Sequence, residues 1–178
     1  MTKTILVVDD SLDRRSHISA TIRNNGYNPL VVPTLYEALD IIRWDINERN
    51  YYKRDVPRPI DGLVTDLQLD TPREEIYFGI TLLYCLKKPI ILKPNRKEKM
   101  KEEVKDYRGH ILLERAVPDL RNEWKEKPVI LISGMKPSFL RNIAEECGAD
   151  GYVSVKQDGT NASLVPQFLN YYFHTHEA

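Results

Sequence analysis

Three aspartates follow apolar runs of the sequence and could together do cation chemistry. Asp9 and Asp10 come directly after the run at Thr4–Val8, and Asp66 ends another run at Gly62–Asp66. Neighbouring carboxylates repel each other and resist removal from water, so ionising all of them calls for a cation. Oxygen ligands with room for water molecules favour Mg²⁺. The sequence therefore indicates a magnesium site, provided that the fold brings Asp66 to the other two.

The elements that would position these residues are short apolar runs rich in β-branched residues, separated by helical patterns. Such runs are typical of strands that are covered on both faces. Strands are predicted at Thr4–Val8, Asn28–Val32, Gly62–Asp66, Pro128–Ser133 and Gly151–Val155.

Apolar residues at helical spacing predict that the segments between the strands are helices. Ser11 is expected to cap a first helix that runs to about Asn25 and ends at Gly26. Pro166 fits the last helix only in its first turn. The other expected helices, with their inward residues, are one from about Thr34 (Leu35, Ala38, Leu39, Ile42, Ile46), one at about Pro137–Cys147 (Leu140, Ile143, Ala144, Cys147) and one from about Ser163 (Leu164, Phe168, Tyr171 or Tyr172).

Alternating strands and helices predict an α/β fold, a doubly wound five-stranded parallel sheet of the flavodoxin-like kind with strand order 2-1-3-4-5. Its ligand crevice lies at the carboxyl ends of strands 1 and 3, which is where the three aspartates would meet. The chain is expected to form a single domain, 1–178, with an insertion at approximately 70–108 between strands 3 and 4. Either 78–88 or 109–124 could supply the ordinary third helix, and we favour the second.

The composition is typical of an ordinary soluble globular protein: 178 residues, 42% hydrophobic and 29% charged, with zero formal net charge. A neutral chain has no general attraction to nucleic acid or to anionic membranes. Cys85 and Cys147 lie in apolar segments without metal-ligand spacing, so we expect reduced, buried thiols and a cytoplasmic location. The N-terminal apolar run is too short for a signal peptide, and no later run is long enough to span a bilayer.

The motifs ILVVDDS, LVTD, PVILIS and GADGYVSVK, in this order, resemble the receiver domain of two-component response regulators. The resemblance covers the framework of the chain and omits the loop after the second helix and the insertion. It implies that Asp66 is the phosphoacceptor. It also implies a Mg²⁺ site in which Asp10 binds directly, Asp9 mostly through water, and Asp66 and the backbone carbonyl of Gln68 complete the protein ligands.

The resemblance also implies roles for residues at the ends of the fourth and fifth strands. Ser133 would donate a hydrogen bond to a phosphoryl oxygen, Lys156 would pair with the phosphoryl charge, and Tyr152 would be the aromatic switch. The typical lysine position of the family is occupied here by Val155, one residue earlier. A one-residue slip turns a side chain to the opposite face of a strand, so Lys156 reaches the site only through a bulge or a bend.

The expected function is a stand-alone phosphoacceptor receiver, a signalling module and not an enzyme in the usual sense. Mg²⁺-dependent phosphorylation of Asp66 by a histidine kinase or phosphotransfer protein would switch a surface formed by helix 4 (about Pro137–Cys147), strand 5 and helix 5 (from about Ser163). That surface would bind a downstream protein or a second copy of the chain. The alternative is a pseudo-receiver, a binding or scaffold module that works without phosphorylation. A dehalogenase-type phosphatase fits less well, because Asp9-Asp10-Ser11 does not supply the DxD pattern of that family.

A basic segment within the insertion has no role in either interpretation. Residues 87–108 contain nine basic and four acidic residues, a net charge of +5. The segment could be a solvated helix or a docking surface for an acidic partner. Nucleic acid is not expected, because few aromatic residues lie among the basic ones.

Overall fold

The structure is a computed structural model that describes residues 2–35, 37–42, 59–67, 86–87 and 121–176. The strands are β1 (Thr4–Val8), β2 (Asn28–Val32), β3 (Ile60–Asp66), β4 (Val129–Ser133) and β5 (Gly151–Ser154). The helices are α1 (Leu12–Asn24), α2 (37–42), α3 (Pro137–Cys147) and α4 (Leu164–His176), and the described residues 121–124 before β4 are also helical.

The five strands form one parallel sheet in the order β2-β1-β3-β4-β5, so the predicted topology is confirmed. All the carboxyl ends therefore lie along one edge of the sheet. The order reverses between β1 and β3, the place where a ligand crevice forms in folds of this kind. The register pairs Val8 with Thr65 and Asp66 with Ile132, so the ends of β1, β3 and β4 are level.

Each face of the sheet is covered by its own apolar layer. Strand residues alternate between the two layers, as pleating requires. The first layer, with α2 and α3, includes Leu6, Val8, Leu63, Leu131, Leu39, Ile42, Trp124, Leu140, Ile143 and Cys147. The second layer, with α1 and α4, includes Ile5, Val7, Val64, Ile132, Val155, Ile18, Ile22, Val165, Leu169, Tyr172 and Phe173.

The helix ends follow the predicted capping chemistry. The Ser11 side chain caps α1 by accepting a hydrogen bond from the Arg14 backbone N–H at 3.4 Å. Gly26 follows the helix with φ +86°, and Gly148 ends α3 with φ +73°, a left-handed conformation that glycine adopts without steric cost. The five predicted strands and the helices predicted after strands 1, 4 and 5 are confirmed, and the helix expected from about Thr34 is confirmed as far as residue 42. β3 begins two residues earlier than expected, at Ile60; β4 begins one residue later, at Val129, and β5 ends one residue earlier, at Ser154.

The predicted inward face of the last helix is partly wrong. Leu164 is 44% exposed and Tyr171 is 68% exposed, while Phe168 is only partly buried. The face that packs on the sheet is displaced by one residue and consists of Val165, Leu169, Tyr172 and Phe173, at spacings of four, three and one. Tyr172 was one of the two alternatives expected inside. Pro166 lies in the first turn, as predicted.

Several predictions fall outside the described residues. These include the insertion at about 70–108 and the candidate third helix at 78–88, of which only residues 86 and 87 are described. They also include Ile46, Gln68, Cys85 and the candidate third helix at 109–124, of which only the helical end at 121–124 is described. Cys147 is a buried free thiol, in agreement with expectation. Within the described ranges, no helix has the length and apolar character needed to cross a membrane.

Candidate functional site

The candidate site lies at the carboxyl ends of β1 and β3. Asp9 follows β1, Asp10 comes next, and Asp66 is the last residue of β3. One carboxylate oxygen from each residue lies within 4.8 Å of the other two. Asp9 is fully buried and Asp66 is 2% exposed, whereas the Asp10 side chain is 38% exposed. The structure thus brings together three carboxylates from positions more than fifty residues apart in the sequence.

Backbone pairing at the sheet edge holds the two buried aspartates in place. The Asp9 N–H donates to the carbonyl of Val32 at 3.2 Å, and the Leu67 N–H donates to the carbonyl of Ile132 at 2.9 Å. The Asp9 side chain also accepts the Ser11 N–H at 2.8 Å, a local turn that leads into α1. The strands and the first turn of α1 therefore position these carboxylates without the help of a ligand.

Arg14, which the sequence analysis did not single out, lies among the three carboxylates. Its Nε donates to Asp9 Oδ2 at 2.5 Å, and its Nη2 donates to Asp9 Oδ1 at 3.0 Å. The same Nη2 donates to Asp66 Oδ2 and lies 4.0 Å from Asp10 Oδ1. The Arg14 side chain is only 9% exposed. One guanidinium nitrogen is therefore the point on which all three carboxylates converge.

The electrostatics of the cluster keep Arg14 charged. Burial by itself would lower the pKa of Arg14, but the hydrogen bond to Asp9 and the charges of Asp66, Asp9 and Asp10 together raise it. Burial raises the pKa of Asp9, and this effect outweighs the hydrogen bond and charge of Arg14 and the Ser11 N–H, which lower it. The guanidinium of Arg14 therefore favours the ionised form of Asp9, which burial disfavours.

The carboxylate set has the chemistry that Mg²⁺ requires, but the position of Arg14 does not fit a bound metal. Mg²⁺ binds oxygen ligands at about 2.0–2.1 Å in near-octahedral geometry. Arg14 already binds both oxygens of Asp9 and one oxygen of Asp66, which are oxygens that the ion would need, and its Nη2 lies between the carboxylates. Mg²⁺ and the guanidinium cannot share that point. Gln68, whose carbonyl was expected to be a further ligand, is outside the described residues.

Ser133 ends β4 at the same edge of the sheet as Asp66. It follows Ile132, the residue that pairs with Asp66, and it is 2% exposed. Its Oγ accepts the Met135 N–H at 3.3 Å, so the hydroxyl caps the loop after β4. A hydroxyl that accepts one hydrogen bond can still donate its proton. The loop cap and the expected contact with a phosphoryl oxygen are therefore compatible.

Lys156 is exposed beyond the end of β5. The register of β4 and β5 continues without a shift from Ile130–Gly151 to Ser133–Ser154, so this pairing contains no bulge. Val155 then donates its N–H to the Ser133 carbonyl at 3.0 Å and buries its side chain in the second apolar layer. Among the ion pairs of the described residues, none joins Lys156 to Asp66. Val155 therefore takes the inward position, as the one-residue slip indicates.

Tyr152 lies on β5 opposite Leu131 and is 38% exposed. A half-exposed ring at this place is compatible with packing and with a change of rotamer. Its assignment as a switch stays a prediction.

The comparisons with known proteins show the fold. No protein-family model matches the sequence, and no curated protein matches it. Among solved structures, the chemotaxis response regulator CheY4 of Vibrio cholerae is similar, with 13% identity, 97% of this chain and 99% of that chain covered and a TM-score of 0.54. The BeF3-activated DrrB receiver domain has 13% identity, 98% and 99% coverage and a TM-score of 0.55. A CheY-like response regulator receiver protein from Methanospirillum hungatei has 14% identity, 99% and 98% coverage and a TM-score of 0.53. The chain therefore has the fold of response regulator receiver domains.

Proposed function

We propose that the chain is a phosphoacceptor signalling module in which Asp66 accepts a phosphoryl group. The observation that carries this proposal is the convergence of Asp66 with Asp9 and Asp10 at the carboxyl edge of a receiver fold. Ligands of open α/β sheets bind in this crevice, and a carboxylate at the end of a strand is held rigidly there. Similar solved structures are named as response regulators or their receiver domains, which supports the same role.

In the proposed reaction, a carboxylate oxygen of Asp66 attacks the phosphorus of a phosphohistidine or of a small acyl phosphate. The bond from phosphorus to the donor breaks, and its electron pair leaves with the imidazole or the carboxylate. The product is an acyl phosphate on Asp66. Because phosphoryl transfer depends mainly on positioning and on neutralisation of charge, a nearby cation is useful. Arg14 is such a cation, and we propose no metal step because Mg²⁺ does not fit beside it.

The phosphoryl donor is expected to be a histidine kinase or a phosphotransfer protein. The output would pass through the face of α3, β5 and α4, which binds a downstream protein or a second copy of the chain. Large apolar side chains exposed on these elements support a contact role: Phe139 is 48% exposed, Tyr152 38% and Leu164 44%. Ser133 at the end of β4 and Tyr152 on β5 would connect the site to that face.

Intact-mass measurement after incubation with acetyl phosphate tests the acceptor role. We expect an added phosphoryl group on the wild type and on Asp13→Asn, a control that removes an exposed carboxylate of the first turn of α1. Asp66→Asn should carry none. The reaction is run with Mg²⁺ and with a chelator, so that dependence on a metal is measured separately.

Two results would contradict the proposal: an adduct of equal yield on Asp66→Asn, or no adduct on the wild type under either condition. The second result would favour the alternative, a module of the same fold that binds its partner without phosphorylation.

A further inference from the structure

The position of Arg14 carries an inference about metal binding at the proposed site. We propose that the Arg14 guanidinium is the resident cation of the acidic cluster and excludes divalent metal ions from it unless the side chain is displaced. This inference concerns the site of the proposed function but does not depend on phosphoryl transfer.

The contacts of Arg14 are those of a side chain that replaces an ion. A guanidinium has a planar fork of donors that matches a carboxylate, and here Nε and Nη2 contact the two oxygens of Asp9 at 2.5 and 3.0 Å. Nη2 also bridges to Asp66 and lies 4.0 Å from Asp10. A single positive group therefore connects all three carboxylates, which is what a bound divalent cation would do.

The helix itself holds Arg14 in this position. Arg14, Ile18 and Ile22 are the buried residues of α1, at four-residue spacing on one stripe. The Arg14 N–H is capped by Ser11, whose own N–H donates to Asp9. A positive charge in the first turn of a helix is unfavourable with respect to the helix dipole. The attraction of Arg14 to the carboxylates must therefore outweigh its unfavourable interaction with the helix dipole.

A resident cation lowers the affinity of the site for metal ions. Only the fraction of molecules in which Arg14 has left its partners can bind, and the apparent affinity falls by that fraction. If Arg14 has left the carboxylates in about one tenth of the molecules or less, the apparent dissociation constant of the metal ion rises about tenfold or more. Replacing Arg14 with an apolar side chain should remove this competition and take its positive charge away from the three carboxylates. Such a variant gains a divalent site that the wild type barely uses.

The test is a titration with Mn²⁺, followed by electron paramagnetic resonance, with no phosphoryl donor present. We expect Arg14→Met to bind one Mn²⁺ at least about tenfold more tightly than the wild type. The matched control is Arg15→Met, which removes the same charge from the next residue. Among the described residues, Arg15 contacts the backbone carbonyl of Asp9 at 2.6 Å and no carboxylate, so this variant should stay close to the wild-type affinity. Adding Asp9→Asn to Arg14→Met should abolish the gain.

A second measurement covers the case in which Arg14→Met is unfolded without metal. Circular dichroism is then recorded with increasing Mg²⁺, which should restore the fold because the ion replaces the missing cation. Wild-type affinity equal to that of Arg14→Met, weak binding by both proteins, or a variant that remains unfolded with Mg²⁺ would overturn the inference. Because no donor is present, these results are independent of whether Asp66 accepts a phosphoryl group.

Discussion

Replacement of Arg14 by methionine should destabilise the fold strongly, because it removes the cation from two buried carboxylates. Asp9 is fully buried, Asp66 is 2% exposed, and the Arg14 side chain is 9% exposed, so this is not a solvated surface pair. Removal of one partner of a buried ion pair costs about 3–5 kcal/mol. With a urea m-value of about 2–3 kcal/mol per molar, the unfolding midpoint should fall by about 1–2.5 M.

A double-mutant cycle in metal-free buffer assigns this loss to the ion pair. Asp9→Asn removes a charge that Arg14 neutralises, so the double variant should be more stable than the sum of the single losses predicts, by about 1–3 kcal/mol. Arg23→Met, in the last turn of α1 and exposed, should change the free energy of unfolding by less than about 0.5 kcal/mol. If Arg14→Met lowers the free energy of unfolding by less than about 1 kcal/mol, as is typical of exposed ion pairs, the reasoning is refuted. A double-mutant cycle in which the two losses simply add would refute it as well.

Two further predictions concern the packing of α4. A Cβ on Gly151 would lie 2.3 Å from Phe168 Cε2, so Gly151→Ala should cost about 1–3 kcal/mol of unfolding free energy in urea, with recovery in the double variant with Phe168→Leu. Burial first, and then the charges of Asp150 and Glu126, raise the pKa of Tyr172 to about 12 from its ordinary value of 10.0. The unfolded chain therefore loses this proton first, and stability should fall as pH rises from 10 to 12. Tyr172→Phe should remove this part of the pH dependence, and an unchanged profile would contradict it.

The architecture was predictable from the sequence because both apolar periods are strong. β1, β2 and α3 begin and end at the expected residues, since continuous β-branched runs and a terminal glycine define them. The meeting of Asp9, Asp10 and Asp66 follows from topology alone, because parallel strands place their carboxyl ends on one edge. The face of α4 was less predictable, because apolar residues occupy most positions between Leu164 and Phe173 and a displacement of one residue changes the pattern little.

The role of Arg14 was missed because arginine is normally exposed on a helix. Helical spacing did contain the signal: Arg14 precedes Ile18 and Ile22 by one and two turns on the buried stripe of α1. For Lys156, the sequence showed the feature but not its structural consequence. Its displacement by one residue was visible in the sequence, but only the unbroken register of β4 and β5 shows that no bulge in that pairing compensates for it.

The most direct test of the acceptor assignment is to locate the phosphorylated residue. After reaction with acetyl phosphate, borohydride reduces an acyl phosphate to an alcohol, which marks the acceptor aspartate by a change of mass in its peptide. The account predicts that the reduced residue is Asp66, with Asp9 and Asp10 unchanged. Reduction at Asp9 or Asp10, or no reduced residue at all, would contradict it.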